Sequence, residues 1–151
     1  MQYWLMKTEP DECSIDDFAA TPDQVIRWDG VRNYQARNFM RDMAIGDEVF
    51  IYHSSCAKIG IAGIVRVTRT AYSDPTQFNP ESAYFDKRSK PDNPRWDAVD
   101  LKFMRKFARI LTLDELKNVA ELADSPLIQK GNRLSVIPFS KVERDSVLVK
   151  V

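Results

Sequence analysis

A mixed α+β fold is predicted for this chain: a bent, largely antiparallel sheet or small barrel of five or six strands, with short helices over its ends. Three observations carry that reading. Apolar runs recur at strand length, either alternating or continuous. Short capped segments stand between them. Strands do not alternate with long helices as a βαβ series requires. The 151 residues fit one domain, residues 1–151. A chain of that size buries roughly 70% of its unfolded surface, so a core forms without staples.

Each element has a local reason. The run "QYWLMK" is dense in aromatic and apolar residues and ends at Glu9-Pro10, which suits a buried first strand. Ser14 is placed to N-cap a short helix on "SIDDF", and Thr21-Pro22 opens a turn before Trp28. From Tyr34 to Met43 the spacing predicts a helix with Phe39, Met40 and Met43 inward, closed by Gly46-Asp47. "EVFIYHS" (48–54) and "GIAGIVRVTR" (60–69) read as successive strands. In the second, Ile61, Gly63, Val65 and Val67 share a face, and Gly60 and Gly63 admit close approach of a backbone or ligand.

Asp74-Pro75, Asn79-Pro80, Lys90-Pro91 and Asn93-Pro94 then mark a long irregular excursion, a type of segment that is often functional. Val99, Leu101 and Phe103 alternate with Asp100, Lys102 and Met104 in a long strand with one wet face. Thr112 and Glu115 form a capping box for a helix on "LDELKNVAEL". "SPLIQK" is a turn, "GNRLSVIP" a last strand limited by Pro138, and Ser140 with Glu143 caps a closing helix.

Bulk properties exclude several function classes. Lys plus Arg and Asp plus Glu both number 22, so the formal charge is zero and a nonspecific nucleic-acid coat is disfavoured. Any nucleic-acid affinity must come from a local site. Cys13 and Cys56 lack metal-ligand spacing and read as reduced thiols; no metal or cofactor is expected. No apolar run is long enough for a membrane span and no signal peptide opens the chain, so no membrane partner is expected and the location expected is cytoplasmic.

Enzymatic activity is not expected. His53 is the sole histidine, and Ser54, its neighbour on a strand, points to the opposite face. Ser55 shares its side but lacks a nucleophile elbow. A hydrolase reading through His53, Ser55, Asp97 and Asp100 therefore stands last, and His53 reads as a structural or pocket-lining hydrogen-bonder. Lys7, Thr8 and Glu9 are open to two readings, a solvated strand end or groups turned into a cleft. Trp28 and Trp96 each sit beside an aspartate where regular structure breaks off. They are either core residues or opposing walls of a slot, with Tyr84 and Phe85 as a further wall or lid.

The segments "YWLMKTEP", "WDGVRNYQARNFMR", "GDEVFIYHSS", "GIAGIVRV", "NPRWDAVDL" and "QKGNRLSVIP" together resemble the EVE domain family, from Tyr3 to about Val147. The resemblance implies a PUA-like fold, a bent mixed barrel or sheet flanked by short helices. It also implies kinship with YTH domains, which hold a methylated adenine in an aromatic cage, and a role in reading modified bases, notably modified cytosines in DNA. Carried onto this sequence, Trp28 becomes a stacking wall, Lys7 and Thr8 line the slot with Glu9 following, and Arg32 and Asn33 contact base edges or backbone. Ser54 and Ser55 lie near the pocket mouth, and Trp96 forms the opposite wall. Eukaryotic members carry a basic N-terminal extension, whereas this chain starts at the strand, as expected for a bacterial cytoplasmic protein.

The expectation is thus a non-enzymatic reader whose partner is nucleic acid, DNA or RNA, carrying a modified base. The alternative is a pocket for a free nucleoside or other planar small molecule. Replacing Trp28 by Ala is expected to abolish selective binding while leaving the fold largely intact.

Overall fold

The computed structural model describes residues 1–151. In chain order the elements are β1 (Tyr3–Thr8), α1 (Ile15–Ala20), β2 (Val25–Trp28), α2 (Tyr34–Arg41), β3 (Glu48–His53), β4 (Gly60–Ser73), β5 (Asp97–Thr112), α3 (Leu113–Leu116), β6 (Val136–Phe139) and α4 (Lys141–Leu148). The strands form one sheet in the order β2-β5-β4-β3-β1-β6. Only β1 and β3 run parallel; the other four pairings are antiparallel.

The apolar runs follow from this order. β1 and β3 are interior strands, and Trp4, Leu5 and Met6 of β1 and all six residues of β3 are buried. A strand covered on both faces needs no polar alternation. β6 is an edge, which is why it tolerates Pro138 opposite Trp4: the missing N–H faces no neighbour. β4 and β5 form a long ribbon whose register slips at several bulges, between Ile61/Gly63, Ile64/Val65, Val67/Arg69 and Arg69/Tyr72. Bulges bend and twist a ribbon. The sheet stays open, so of the two predicted forms the bent sheet is the one adopted and the closed barrel is not.

Several boundaries depart from the sequence reading, among them that of the last strand, expected from Gly131 and starting only at Val136. Val25–Trp28 is a strand, not part of a turn: Ile26 and Trp28 alternate with Val25 and Arg27, and pairing with Val99–Lys102 supplies the hydrogen bonds a lone four-residue segment lacks. β4 runs to Ser73, four residues beyond the expected Arg69, because β5 continues to pair with it. The helix on "LDELKNVAEL" stops at Leu116 and resumes as a 3-10 turn at Ala120–Leu122, although its capping box forms as expected.

The helices close the ends of the sheet. Ser14 and Asp17 complete a capping box on α1, and Ser140 and Glu143 do the same on α4. Ile15 of α1 settles on Gly63, where an added Cβ would lie 2.6 Å from the Ile15 side chain, so the glycine makes room for a helix rather than a ligand. Met40 and Met43 are buried, and Phe39 is half-buried with its ring 6.2 Å from that of Trp4. The 32 buried apolar residues form one continuous cluster that includes Trp28. No helix is long and apolar enough to cross a membrane.

Candidate functional site

An open cleft of about 760 Å³ lies where the C-terminal end of β1, the length of β2 and the approach to β6 converge. Strand geometry brings these segments together. Residues 7–9 leave β1 beside Ser54, just past β3, and the Lys7 N–H donates to the Ser135 carbonyl at 2.9 Å, which draws the segment before β6 alongside. β2 presents Ile26 and Trp28 from the facing side.

Trp28 serves both core and cleft. It is only 8% exposed and packs in the apolar cluster, yet it also lines the cleft. Its polar end separates it from the other two tryptophans. Trp4 Nε1 donates to Asp47 at 3.0 Å and Trp96 Nε1 to Asp86 at 2.8 Å. The Trp28 indole N–H has no acceptor in the chain and is not among the buried unpaired polar atoms, which reduce to Ser89 Oγ. The exposed part of the ring therefore carries a free donor.

Lys7 is a second unsatisfied group. Its ammonium lies 5.6 Å from the centroid of the Tyr52 ring, with no carboxylate in salt-bridge contact, and burial lowers its pKa. A half-buried ammonium without an ion pair keeps donors free for an acceptor. Thr8 Oγ1 makes one long bond, at 3.2 Å, to the Glu9 carbonyl, and the Glu9 carboxylate has no partner in the chain. Arg27 pairs with Asp29 at 3.0 Å. The cleft thus offers separate donors and acceptors around one aromatic wall.

The remaining wall is a clamp between the 29–33 loop and the Pro-rich excursion. Arg32 spends its guanidinium on the Tyr84 carbonyl (3.0 and 2.7 Å), the Val31 carbonyl (2.9 Å), Thr76 Oγ1 (3.0 Å) and Asp74 (3.0 Å). Asp74 is fully buried; desolvation alone would raise its pKa, but hydrogen bonds from Thr76, Gly30 and Arg32 outweigh it and hold the carboxyl below its usual range. Gly30 sits at φ +81°, and a Cβ there would come within 2.7 Å of the Tyr84 ring. Only glycine lets the ring lie flat on that backbone. Tyr84 Oη then donates to Glu12 at 2.7 Å, closing one end of the cleft; burial first, then Glu12, pushes the Tyr84 pKa up to about 12. Cys13 sits beside it, its thiol raised to about 11 by burial and by Asp17, Asp29 and Glu12.

Of the residues predicted for the site, Lys7, Thr8, Glu9, Trp28, Arg32, Ser54 and Tyr84 line this cleft. Four do not reach it. Asn33 caps α2, its side chain accepting from the Ala36 N–H at 2.9 Å. Ser55 occupies a left-handed turn at φ 54° after β3. Phe85 is exposed outside the cleft. Trp96, expected as the opposite wall, is instead buried and stacked on Tyr34, ring centroids 4.7 Å apart. Arg32 lines the cleft, but its donors are already engaged, so it builds the wall rather than reading an edge. Sequence reasoning did not single out Glu12, Cys13, Arg27, Arg133 or Ser135. The alternation of Ile26 with Trp28 was the missed signal for β2; nothing local announces that Ser135 pairs beside Lys7.

The groups of the hydrolase reading are dispersed. His53 Nε2 accepts from the Ile15 N–H at 3.2 Å, at the start of α1. Asp97 pairs with Arg41, and Asp100 accepts from the Tyr72 hydroxyl.

Comparison with known proteins places this geometry. The EVE domain family model matches residues 2–149. Thymocyte nuclear protein 1 of Homo sapiens is 43% identical over 162 aligned positions, covering 97% of this chain and 72% of the human protein. Among solved structures, a Pseudomonas syringae protein superposes with a TM-score of 0.95 at 49% identity, covering 98% of each chain. A crystal structure of human THYN1 protein in complex with 5-methylcytosine-containing DNA superposes with a TM-score of 0.89 at 41% identity, covering 99% of this chain and 97% of the other.

Proposed function

The chain belongs to the EVE domain family, and from that premise we propose that it is a non-enzymatic reader of a modified base in DNA, 5-methylcytosine being the first candidate. The base leaves its stack and enters the cleft beside Trp28. The observation that carries the reading is the free Trp28 indole N–H, on a ring wall that opens into a hollow of about 760 Å³. The human relative's complex with methylated DNA supplies the partner class.

The cleft's groups suit a cytosine. Its Watson–Crick edge offers two acceptors and one amino donor. Lys7 is the donor for the former and the Glu9 carboxylate the acceptor for the latter, each unpaired within the chain. Magnitudes limit what such a site achieves. Extrusion costs a few kcal/mol, and full stacking on an indole returns about 1–3 kcal/mol, of which a ring only 8% exposed supplies a part. Polar contacts must supply the surplus. A buried methyl adds only about 0.8 kcal/mol, less than tenfold, so strong selectivity requires the cleft to penalise the unmodified base.

The test is a pair of fluorescence-anisotropy titrations with labelled duplexes identical except for one 5-methylcytosine. Tighter binding of the methylated duplex, lost in Lys7→Ala and Glu9→Ala, is the expected result. Equal binding of both duplexes, with tighter binding of the free modified nucleoside, replaces the reader with a pocket for a planar small molecule.

A further inference from the structure

Outside the cleft, the N-terminal turn of α2 meets the end of the Pro-rich excursion in a cluster of aromatic rings and guanidinium groups that the base site does not use. Tyr34 is 48% exposed and stacks on Trp96 at 4.7 Å with the planes inclined by 24°. Arg37 lies over the Tyr34 ring, its guanidinium carbon 4.7 Å from the centroid, and donates to the Arg95 carbonyl at 2.8 Å and to Asn38 Oδ1. Arg95 reaches the Tyr34 hydroxyl at 3.5 Å. Neither guanidinium has a carboxylate within ion-pair distance, although both converge on one tyrosine. Asp86, the acid near Arg95, is already committed to Trp96 Nε1 and Arg88.

The contrast one turn along α2 is informative. Arg41, on the same helix face as Arg37, is neutralised by Asp97. Two like charges gathered without an ion-pair partner of their own repel each other, and a bound anion relieves the repulsion. The forked donors of arginine match phosphate oxygens. The cluster is also tied to the base cleft: Arg32, a cleft residue, lies 5.6 Å from the centroid of the Trp96 ring on which Tyr34 stacks. With one phosphate per about 3.4 Å of each strand, a duplex that ran from the cleft across Arg32 toward Trp96 would bring phosphates to Arg37 and Arg95 within a few nucleotides.

We propose that Tyr34, Arg37 and Arg95 form a phosphodiester-binding site that grips the DNA backbone beside the base cleft. The proposal rests on the DNA reading above, and it supplies what a chain of zero net charge otherwise lacks, a local electrostatic anchor. The anchor carries no base information.

The experiment measures affinity for methylated and unmethylated duplexes across a salt series, for the natural protein and for Arg37→Gln/Arg95→Gln. The double variant is expected to bind both duplexes more weakly in the same proportion. Its log-affinity slope against log salt should be shallower by about 1.8, so its deficit narrows about tenfold between roughly 50 and 200 mM salt. Arg95→Gln alone, whose side chain holds only the Tyr34 hydroxyl, should give about half that change and leaves the helix untouched. Arg37→Lys/Arg95→Lys should restore the slope. An unaltered slope, or an equal loss in the charge-matched Lys117→Gln/Lys150→Gln control, overturns the anchor; so does natural protein whose binding ignores salt. Failure of base reading shows separately, as equal affinity for the two duplexes.

Discussion

At position 28 one indole serves two environments, with most of its surface in the apolar cluster, a part of it lining the cleft, and an N–H that no group of the chain accepts. That duality alters what substitution does. Trp28→Ala was expected to spare the fold; with the ring 8% exposed in the core, it should instead destabilise the protein by about 3–5 kcal/mol, read in chemical denaturation, as well as abolish binding. A loss under about 1 kcal/mol would place the ring outside the core. His53 presents the opposite case, a group with catalytic chemistry that the structure uses as a cap. Its Nε2 accepts from Ile15 N, and burial lowers its pKa, partly offset by Asp16 and Asp17. The unfolded chain therefore binds a proton more readily than the folded one, and stability falls as pH drops below about 6.5 toward the folded-state pKa. Melting temperatures between pH 7.5 and pH 5 should decline more steeply for the natural protein than for His53→Gln; parallel curves would show that the ring does not titrate against folding.

At the scale of elements, the cleft depends on a loop holding another loop. Gly30, Tyr84, Arg32 and Asp74 lock the 29–33 segment to the excursion, so the end wall has a defined position without belonging to a strand. Gly30→Ala combines left-handed strain of about 1–2 kcal/mol with a collision against the Tyr84 ring. It should speed amide exchange or proteolysis within residues 74–96 while sparing β3 and β4; unchanged protection there would mean that the ring is not held by this contact. The same scale explains what was legible in the sequence. Capping boxes at Ser14, Thr112 and Ser140 are local chemistry and announced three helices. The period-two pattern of Val99, Leu101 and Phe103 announced β5. β2 was obscured because four residues form a strand only through a partner remote in sequence, and the length of β4 was fixed by that same partner. For the site, the residues alone left Lys7 and Thr8 between a solvated strand end and a cleft, and Trp28 between core and wall. The family resemblance is what pointed them to the cleft, and Trp96 looked equivalent to Trp28 until Asp86 and Tyr34 claimed its polar edge and one face. Arg32 likewise carried a base-reading side chain whose donors are spent on the chain itself, and Asn33 commits its Oδ1 to capping α2.

Over the whole molecule, the open six-stranded sheet gathers its cleft from parts of the chain as distant as Lys7 and Ser135. With equal numbers of acidic and basic residues, no net charge draws in a polyanion, so the proposed DNA affinity is local and modest, on the order of micromolar (about −8 kcal/mol). The three tryptophans provide the direct test of whether the base enters beside residue 28. In a nitrogen-15 NMR spectrum the chain gives three indole N–H signals, two of them bonded internally to Asp47 and Asp86 and one free. On titration with a duplex carrying one 5-methylcytosine, the Trp28 signal should shift strongly and saturate while the Trp4 signal stays fixed, and the unmethylated duplex should move Trp28 far less. A Trp28 signal that stays in place while the methylated duplex binds would contradict the account.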